Sequence, residues 1–241
     1  MARLEGKTWH HDRSNLVSDE DEGGYWLRLF KDKMPAGASV TAKLSANPRV
    51  LYCNAGRIVV SDGTVVEADQ AWFGTGTVSW AVDDDGAAEV WRWELTPLDV
   101  MPEPDLGTGI VTDQLSGDII STIAPTEKWL MRCDSVRFPP SGVALLHTHQ
   151  GPGIRCLREG GIRIDSGGHS HKFAPGEAWF EDGREPVFAA AAEEGCTSFI
   201  RVMILPAELK GKSSIQYVNE EDLDKPKTQR YKGYVDECID H

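Results

Sequence analysis

The sequence predicts an all-β protein built as two tandem copies of one strand-rich unit, and three observations carry that prediction. The apolar residues fall in many short runs, and 24 glycines and 13 prolines supply frequent breaks, a pattern of short strands and turns rather than long helices. Three segments recur in order: 49–60 parallels 153–164, 68–73 parallels 175–180, and 90–97 parallels 199–206. One such match would be weak, but three in sequence at nearly constant spacing mark a duplicated unit. The length of 241 residues accommodates two units of about 120 residues, each able to bury a sizeable core.

The first unit is expected over 1–98. In it Asp62-Gly63 suits a hairpin, and the Asp83 to Gly86 stretch marks a later turn. The stretch 99–117 reads as a linker, since Pro102, Pro104, Gly107 and Gly109 punctuate it. The second unit is expected over 118–209, led in by 118–124 and 128–133. Its turns are Ser166-Gly167-Gly168 and Glu193-Glu194-Gly195, at places matching the first unit. The tail, 210–241, is polar and charged; within it 215–218 and 231–235 are candidates for short added strands or a packing arm. Trp179 and Phe180 repeat Trp72 and Phe73, which favours core positions for all four. Arg92 and Arg201 also repeat, and both are read as members of a structural ion pair.

The net charge is −13. Nucleic acid is therefore an unsuitable partner, because phosphate contacts need a basic surface. A small anionic ligand is not excluded, since a few arginines in a cavity set the local field there. No apolar stretch approaches the roughly 20 residues of a membrane span. The first residues lack a secretory h-region, and the five cysteines are dispersed, without a CxxC pair. A cytoplasmic protein with reduced thiols is the simplest expectation.

The chemistry-bearing motif is His147-Thr148-His149, which ends the apolar run 143–146. Residues i and i+2 of a strand share a face, so a strand running through both histidines presents two imidazoles side by side. That is a common start to a metal site. By the same alternation Arg155 lies on one face with Gly153. A buried guanidinium needs a partner: either a ligand carboxylate, which its fork suits, or Glu177, Glu181 or Glu185. His169 and His171 form a second HxH, but they follow a turn and read as a solvated hairpin. His10, His11 and His241 carry no assignment.

At these residues the chain resembles the cupin superfamily, and as a whole a bicupin, a pair of small jelly-roll barrels. Gly142, His147, His149 and Gly160 match the family's first motif, with one residue fewer between Gly142 and His147. Pro175-Gly176-Glu177 and the strand 178–180 match the second. The family's usual metal site has three histidines and a glutamate. Here the glutamate position is Gly153 and the third histidine position is Val187, while the corresponding first-unit positions are Lys43, Ser45, Arg49 and Trp80. The first barrel is accordingly read as metal-free scaffolding.

The resemblance implies a divalent transition metal (iron, manganese, nickel or zinc) on His147 and His149, with Glu181, Gln150 or water completing the set. It implies an enzyme of the dioxygenase, decarboxylase, lyase or isomerase class acting on a small polar or carboxylate-bearing molecule. The expected catalytic residues are His147, His149 and Arg155; the expected substrate contacts are Arg155, Gln150 and Trp179; a homodimer is implied as well. Two other readings stay open: a metal-free bicupin that binds or senses a small ligand, or isomerises it with a histidine as general base, and a degenerate structural bicupin.

Overall fold

The computed structural model describes residues 24–103, 105–120 and 128–240; His10, His11 and His241 lie outside them. The chain forms strands β1 (Tyr25–Met34), β2 (Arg49–Ala55), β3 (Arg57–Val60), β4 (Val65–Glu67), β5 (Gln70–Gly74), β6 (Trp80–Ala81), β7 (Ala88–Pro97) and β8 (Val111–Ile120). The second half continues with β9 (Trp129–Phe138), β10 (Val143–His149), β11 (Gly153–Glu159), β12 (Ile162–Ser166), β13 (His169–Phe173), β14 (Ala178–Glu181) and β15 (Val187–Ala191). It ends with β16 (Thr197–Pro206), β17 (Ile215–Tyr217) and β18 (Arg230–Ile239). Helix is confined to the short 3-10 turns Ala207–Leu209 and Glu220–Asp222 among the described residues.

The duplication is visible as sheet order. One five-stranded sheet runs β5-β2-β7-β1-β8, and its counterpart runs β14-β11-β16-β9-β18. Each strand of the first has its repeat at the same place in the second. Even the irregularities recur: the β2–β7 ladder slips between Cys53 and Ala55, and the β11–β16 ladder slips between Leu157 and Glu159. Both slips lead into a glycine in the left-handed region, Gly56 at φ 78° and Gly160 at φ 79°. A side chain on Gly160 would meet the Cys196 carbonyl oxygen at 2.5 Å, so only glycine lets the strand end there.

A second sheet closes each barrel: the three-stranded β4-β3-β6 in the first and the five-stranded β13-β12-β15-β10-β17 in the second. The architecture is two antiparallel jelly-roll barrels in tandem. The β5-β2-β7-β1-β8 and β14-β11-β16-β9-β18 sheets pack face to face through one shared apolar cluster, which includes Leu29, Val50, Trp91 and Trp93 from the first and Met131, Ile154, Ile200 and Val202 from the second. Trp93 Nε1 donates across this seam to the Ile154 carbonyl, 3.3 Å away. At its margin Asp69 accepts hydrogen bonds from Tyr52, Arg158, Lys232 and Tyr234. Burial works against the Asp69 carboxylate, but those donors outweigh it and hold its pKa down to about 2.

The segment expected as a linker over 99–117 contains most of a strand instead. β8 spans Val111–Ile120 and pairs antiparallel with β1, so it completes the first barrel's sheet rather than opening the second unit at 118. Its polarity concealed it: as an edge strand it leaves Val111, Asp113 and Gln114 exposed and needs no apolar run. The tail likewise supplies strands, with β17 added beside β10 and β18 beside β9.

Candidate functional site

Inside the first barrel, the carboxylates Asp32 and Glu94 are paired with arginines. Arg92 is wholly buried and bonds both oxygens of Asp32, at 2.8 and 3.2 Å, and Glu94 at 2.7 Å; Arg49 bonds the same Glu94 oxygen at 2.6 Å. Thr112 on β8 donates to Asp32, 2.8 Å away. This chain of ion pairs fills the space between the sheets, with the guanidinium of Arg92 over the Phe30 ring at 4.3 Å. Arg92 and Arg201 are thus both ion-paired structurally, Arg201 with Asp134 at 2.6 and 3.0 Å.

The second barrel differs. β10 runs through both histidines, and His147 and His149 are buried with ring centroids 4.8 Å apart. Arg155 on β11 lies opposite Trp179 on β14 and Arg201 on β16, and Gly153 lies opposite Glu181. Four expected residues therefore converge. Arg155 Nη2 is 2.6 Å from Glu181 Oε2 and is in charge contact with it, while Arg155 Nη1 donates to the Gly153 carbonyl at 2.6 Å. His149 Nε2 is 3.6 Å from the same Glu181 oxygen. The other Glu181 oxygen accepts a hydrogen bond from Trp179 Nε1 at 2.8 Å.

Both imidazoles are held neutral. Burial lowers the His149 pKa well below its ordinary value, and the charges of Arg155 and Arg201 lower it further. Burial also lowers that of His147; Glu181 and the bond to Leu145 oppose the shift without reversing it. His147 Nδ1 is 2.6 Å from the Leu145 carbonyl and donates to it, which leaves its Nε2 with a lone pair. His149 Nδ1 has no hydrogen-bond partner among the described residues. Burial brings the Arg155 pKa down to about 10, so the guanidinium stays charged at neutral pH.

These residues do not fit a resident metal ion. No group of three or more His, Cys, Asp or Glu side chains is disposed to hold one among the described residues. The carboxylate that could join the histidines, Glu181, is engaged by Arg155 and Trp179. Val187 stands directly across from His147 and offers no donor. At Gly153 a side chain would meet the Val202 carbonyl oxygen at 2.5 Å and Met203 Cγ at 2.8 Å. A permanent cation, Arg155, already lies where a metal would need the carboxylate. The residues expected to hold a metal, His147, His149 and Glu181, are thus brought together, with the carboxylate already in charge contact with Arg155.

Two of the expected substrate contacts are also placed elsewhere. Trp179 is 4% exposed and stacked on Phe173, with centroids 4.7 Å apart, so it is core that positions Glu181. Gln150 sits in the turn after β10, where its backbone N–H donates to Ser214, and it lines neither cavity described below. The turn Gly151-Pro152-Gly153 packs against β16, with Ile204 N–H donating to the Pro152 carbonyl. His169 and His171 lie on β13, the edge strand of its sheet.

The space around the histidines is small, about 20 Å³, enough for one water. It adjoins a cavity of about 510 Å³, the size of a small-molecule site. Arg201, Ile215 and Tyr231 line both spaces. The larger cavity lies between β9 and the tail strands β17 and β18. Four cations (Arg132, Arg201, Lys212, Lys227) face it against two carboxylates, Asp134 and Asp236. The tail half of this site could not be anticipated from the histidine motif, which lies about 70 residues upstream.

No family model matches the chain, and no curated protein matches it in sequence. Solved structures do match in fold. The 11S allergen of Cocos nucifera superposes with a TM-score of 0.56 at 8% identity, covering 80% of this chain and 83% of the allergen. A deletion mutant of Bacillus subtilis oxalate decarboxylase gives 0.55 at 11% identity, covering 85% and 77%. AerE from Microcystis aeruginosa gives 0.51 at 12% identity, covering 73% and 87%. The likeness is one of fold, two antiparallel jelly-roll barrels in tandem.

Proposed function

We propose that the second barrel binds a small anionic molecule without a resident metal and catalyses proton transfer on it. The observation that carries this reading is the cavity of about 510 Å³ in which four cations face two carboxylates, in a chain of net charge −13, adjoining two neutral buried histidines. A neutral imidazole with a fixed tautomer is equipped to accept a proton. His147 is such a group, because Leu145 holds its Nδ1 proton and leaves Nε2 free. Arg155 and Arg201 border the same chamber; each is already paired, with Glu181 and with Asp134, and acts on an anion developing there as an N–H donor rather than as free charge. Proton abstraction next to a carboxylate or carbonyl, as in an isomerase or lyase, is the reaction class this arrangement supports.

The test is deuterium wash-in. Small carboxylates incubated with the protein in D2O are expected to exchange the proton on the carbon next to the carboxylate, read by NMR. His147→Gln is expected to slow that exchange by 100-fold or more. Absence of exchange across a broad carboxylate panel refutes the proton-transfer reading. Metal analysis of untagged protein tests the other half: stoichiometric metal that disappears in a His147→Ala/His149→Ala double variant refutes metal independence.

A further inference from the structure

We infer that the cavity walled by the C-terminal strands takes a small carboxylate that also bears hydroxyl groups. The inference rests on the proposed binding role of the second barrel and specifies its ligand. Arg132 and Arg201 are each neutralised, by Asp236 at 2.7 Å and by Asp134 at 2.6 Å. The remaining charge on the wall belongs to the tail. Lys227 Nζ donates to the backbone carbonyl of Asp222 and lies 3.9 Å from the centroid of the Tyr217 ring. The Asp222 carboxylate bonds Lys225 at 2.7 Å, although it also feels the charge of Lys227. Lys212 makes no side-chain hydrogen bond or ion pair among the described residues. Two ammonium groups at the wall favour one anionic group of comparable size, a carboxylate.

The second requirement comes from Gln229. It is 7% exposed and lines the cavity. Its side chain lies beside the Tyr217 phenol, and its Oε1 is bonded to nothing among the described residues. A buried amide oxygen without a donor is rare in folded proteins, and a ligand hydroxyl supplies the missing one. Burial raises the Tyr217 pKa, so the phenol keeps its proton and donates to an oxygen of the same ligand. The wall therefore presents an acceptor, a donor and positive charge together. A simple fatty acid would leave Gln229 Oε1 orphaned, and an uncharged polyol would leave the lysines unmatched. Because Arg201, Ile215 and Tyr231 border both spaces, a ligand seated on the tail lies next to the histidine chamber, whose one-water volume places a water between it and His147.

Calorimetric titration with three probes in metal-free buffer tests this. Gluconate carries both features, hexanoate only the carboxylate and sorbitol only the hydroxyls. Gluconate is expected to bind saturably, and the other two at least tenfold more weakly. Gln229→Leu is expected to weaken gluconate about tenfold and leave hexanoate unchanged; Lys227→Met is expected to weaken both carboxylates. The probe comparison in the unmodified protein stands even where a variant misfolds. Equal binding of all three probes, or no binding of gluconate, glucuronate or threonate, overturns the inference. Gluconate binding without deuterium exchange overturns the proton-transfer reading and leaves this one intact.

Discussion

Replacing Arg155 by methionine removes the cation that compensates Glu181 in the second barrel. The guanidinium is 1% exposed and the Glu181 side chain 9%, with 2.6 Å between Nη2 and Oε2. Breaking a buried pair by deleting one partner strands the other charge and costs about 3–5 kcal/mol. In a protein of this length each kcal/mol lowers Tm by about 2–4 °C, so Arg155→Met is expected to lose about 6–20 °C. Adding Glu181→Gln removes the stranded charge yet keeps an oxygen for Trp179 Nε1. The double variant is expected to recover all but about 1–2 kcal/mol, because neutral replacements of a buried pair are tolerated. Urea unfolding followed by tryptophan fluorescence reads both numbers. The single variant also shifts the electrostatics of His149, whose pKa Arg155 helps to depress; its stability deficit is expected to shrink on acidification as the imidazolium replaces the guanidinium beside Glu181. A single variant costing under about 1 kcal/mol, with no recovery in the double, refutes the reasoning that Arg155 compensates this carboxylate.

Two further outcomes follow from the charges. His147 and His149 have folded pKa values below the unfolded imidazole value of 6.5. Their contribution is therefore complete above about pH 6.5 and falls as pH drops below it, by up to about 1.4 kcal/mol per pH unit for each histidine. Urea midpoints measured down to about pH 5 check this, and His149→Gln is expected to flatten the slope; an unchanged slope refutes the assignment. At the seam between barrels, Asp69 has its pKa held below the unfolded value of 3.8. Its contribution is present above about pH 3.8 and lost as pH falls toward 2. Because its side chain is 37% exposed, Asp69→Asn is expected to cost only about 1 kcal/mol at neutral pH, read by the same unfolding assay, with the difference vanishing in acid.

Most of the architecture was legible because duplication repeats its own evidence. The paired segments ending at Gly56 and Gly160, and those around Trp72 and Trp179, predicted equivalent strands, and the sheets place them equivalently. β8 escaped because an edge strand needs only one buried face and carries polar residues on the other. In the site, alternation along β10 and β11 was enough to put His147, His149 and Arg155 on inward faces, and Glu181 was among the partners considered for Arg155. What surrounds the histidines is decided at a finer level. Sequence spacing shows which ligand positions are lost, but not that a guanidinium has claimed the remaining carboxylate. The tail wall, with Tyr217, Lys227 and Gln229, was out of reach for another reason: its residues meet β9 and β16 only through tertiary pairing, and no local pattern announces such a meeting.

The strand that completes each large sheet comes from the chain that follows its own barrel: β8 returns to β1, and β18 returns to β9. Each half therefore satisfies its own backbone, and the halves are held to each other by side chains packed across the seam, with hardly a main-chain bond between them. A single cut between Ile120 and Lys128 would leave every strand ladder among the described residues within one fragment. It would yield two fragments, each keeping its own strand ladders but losing the side-chain bonds to Asp69 and Ile154 across the seam, and each carrying one uncovered apolar sheet face. With the apolar face of the shared cluster uncovered on each, the two fragments are expected to be complementary when mixed, which makes this protein a candidate for reconstitution as a split pair.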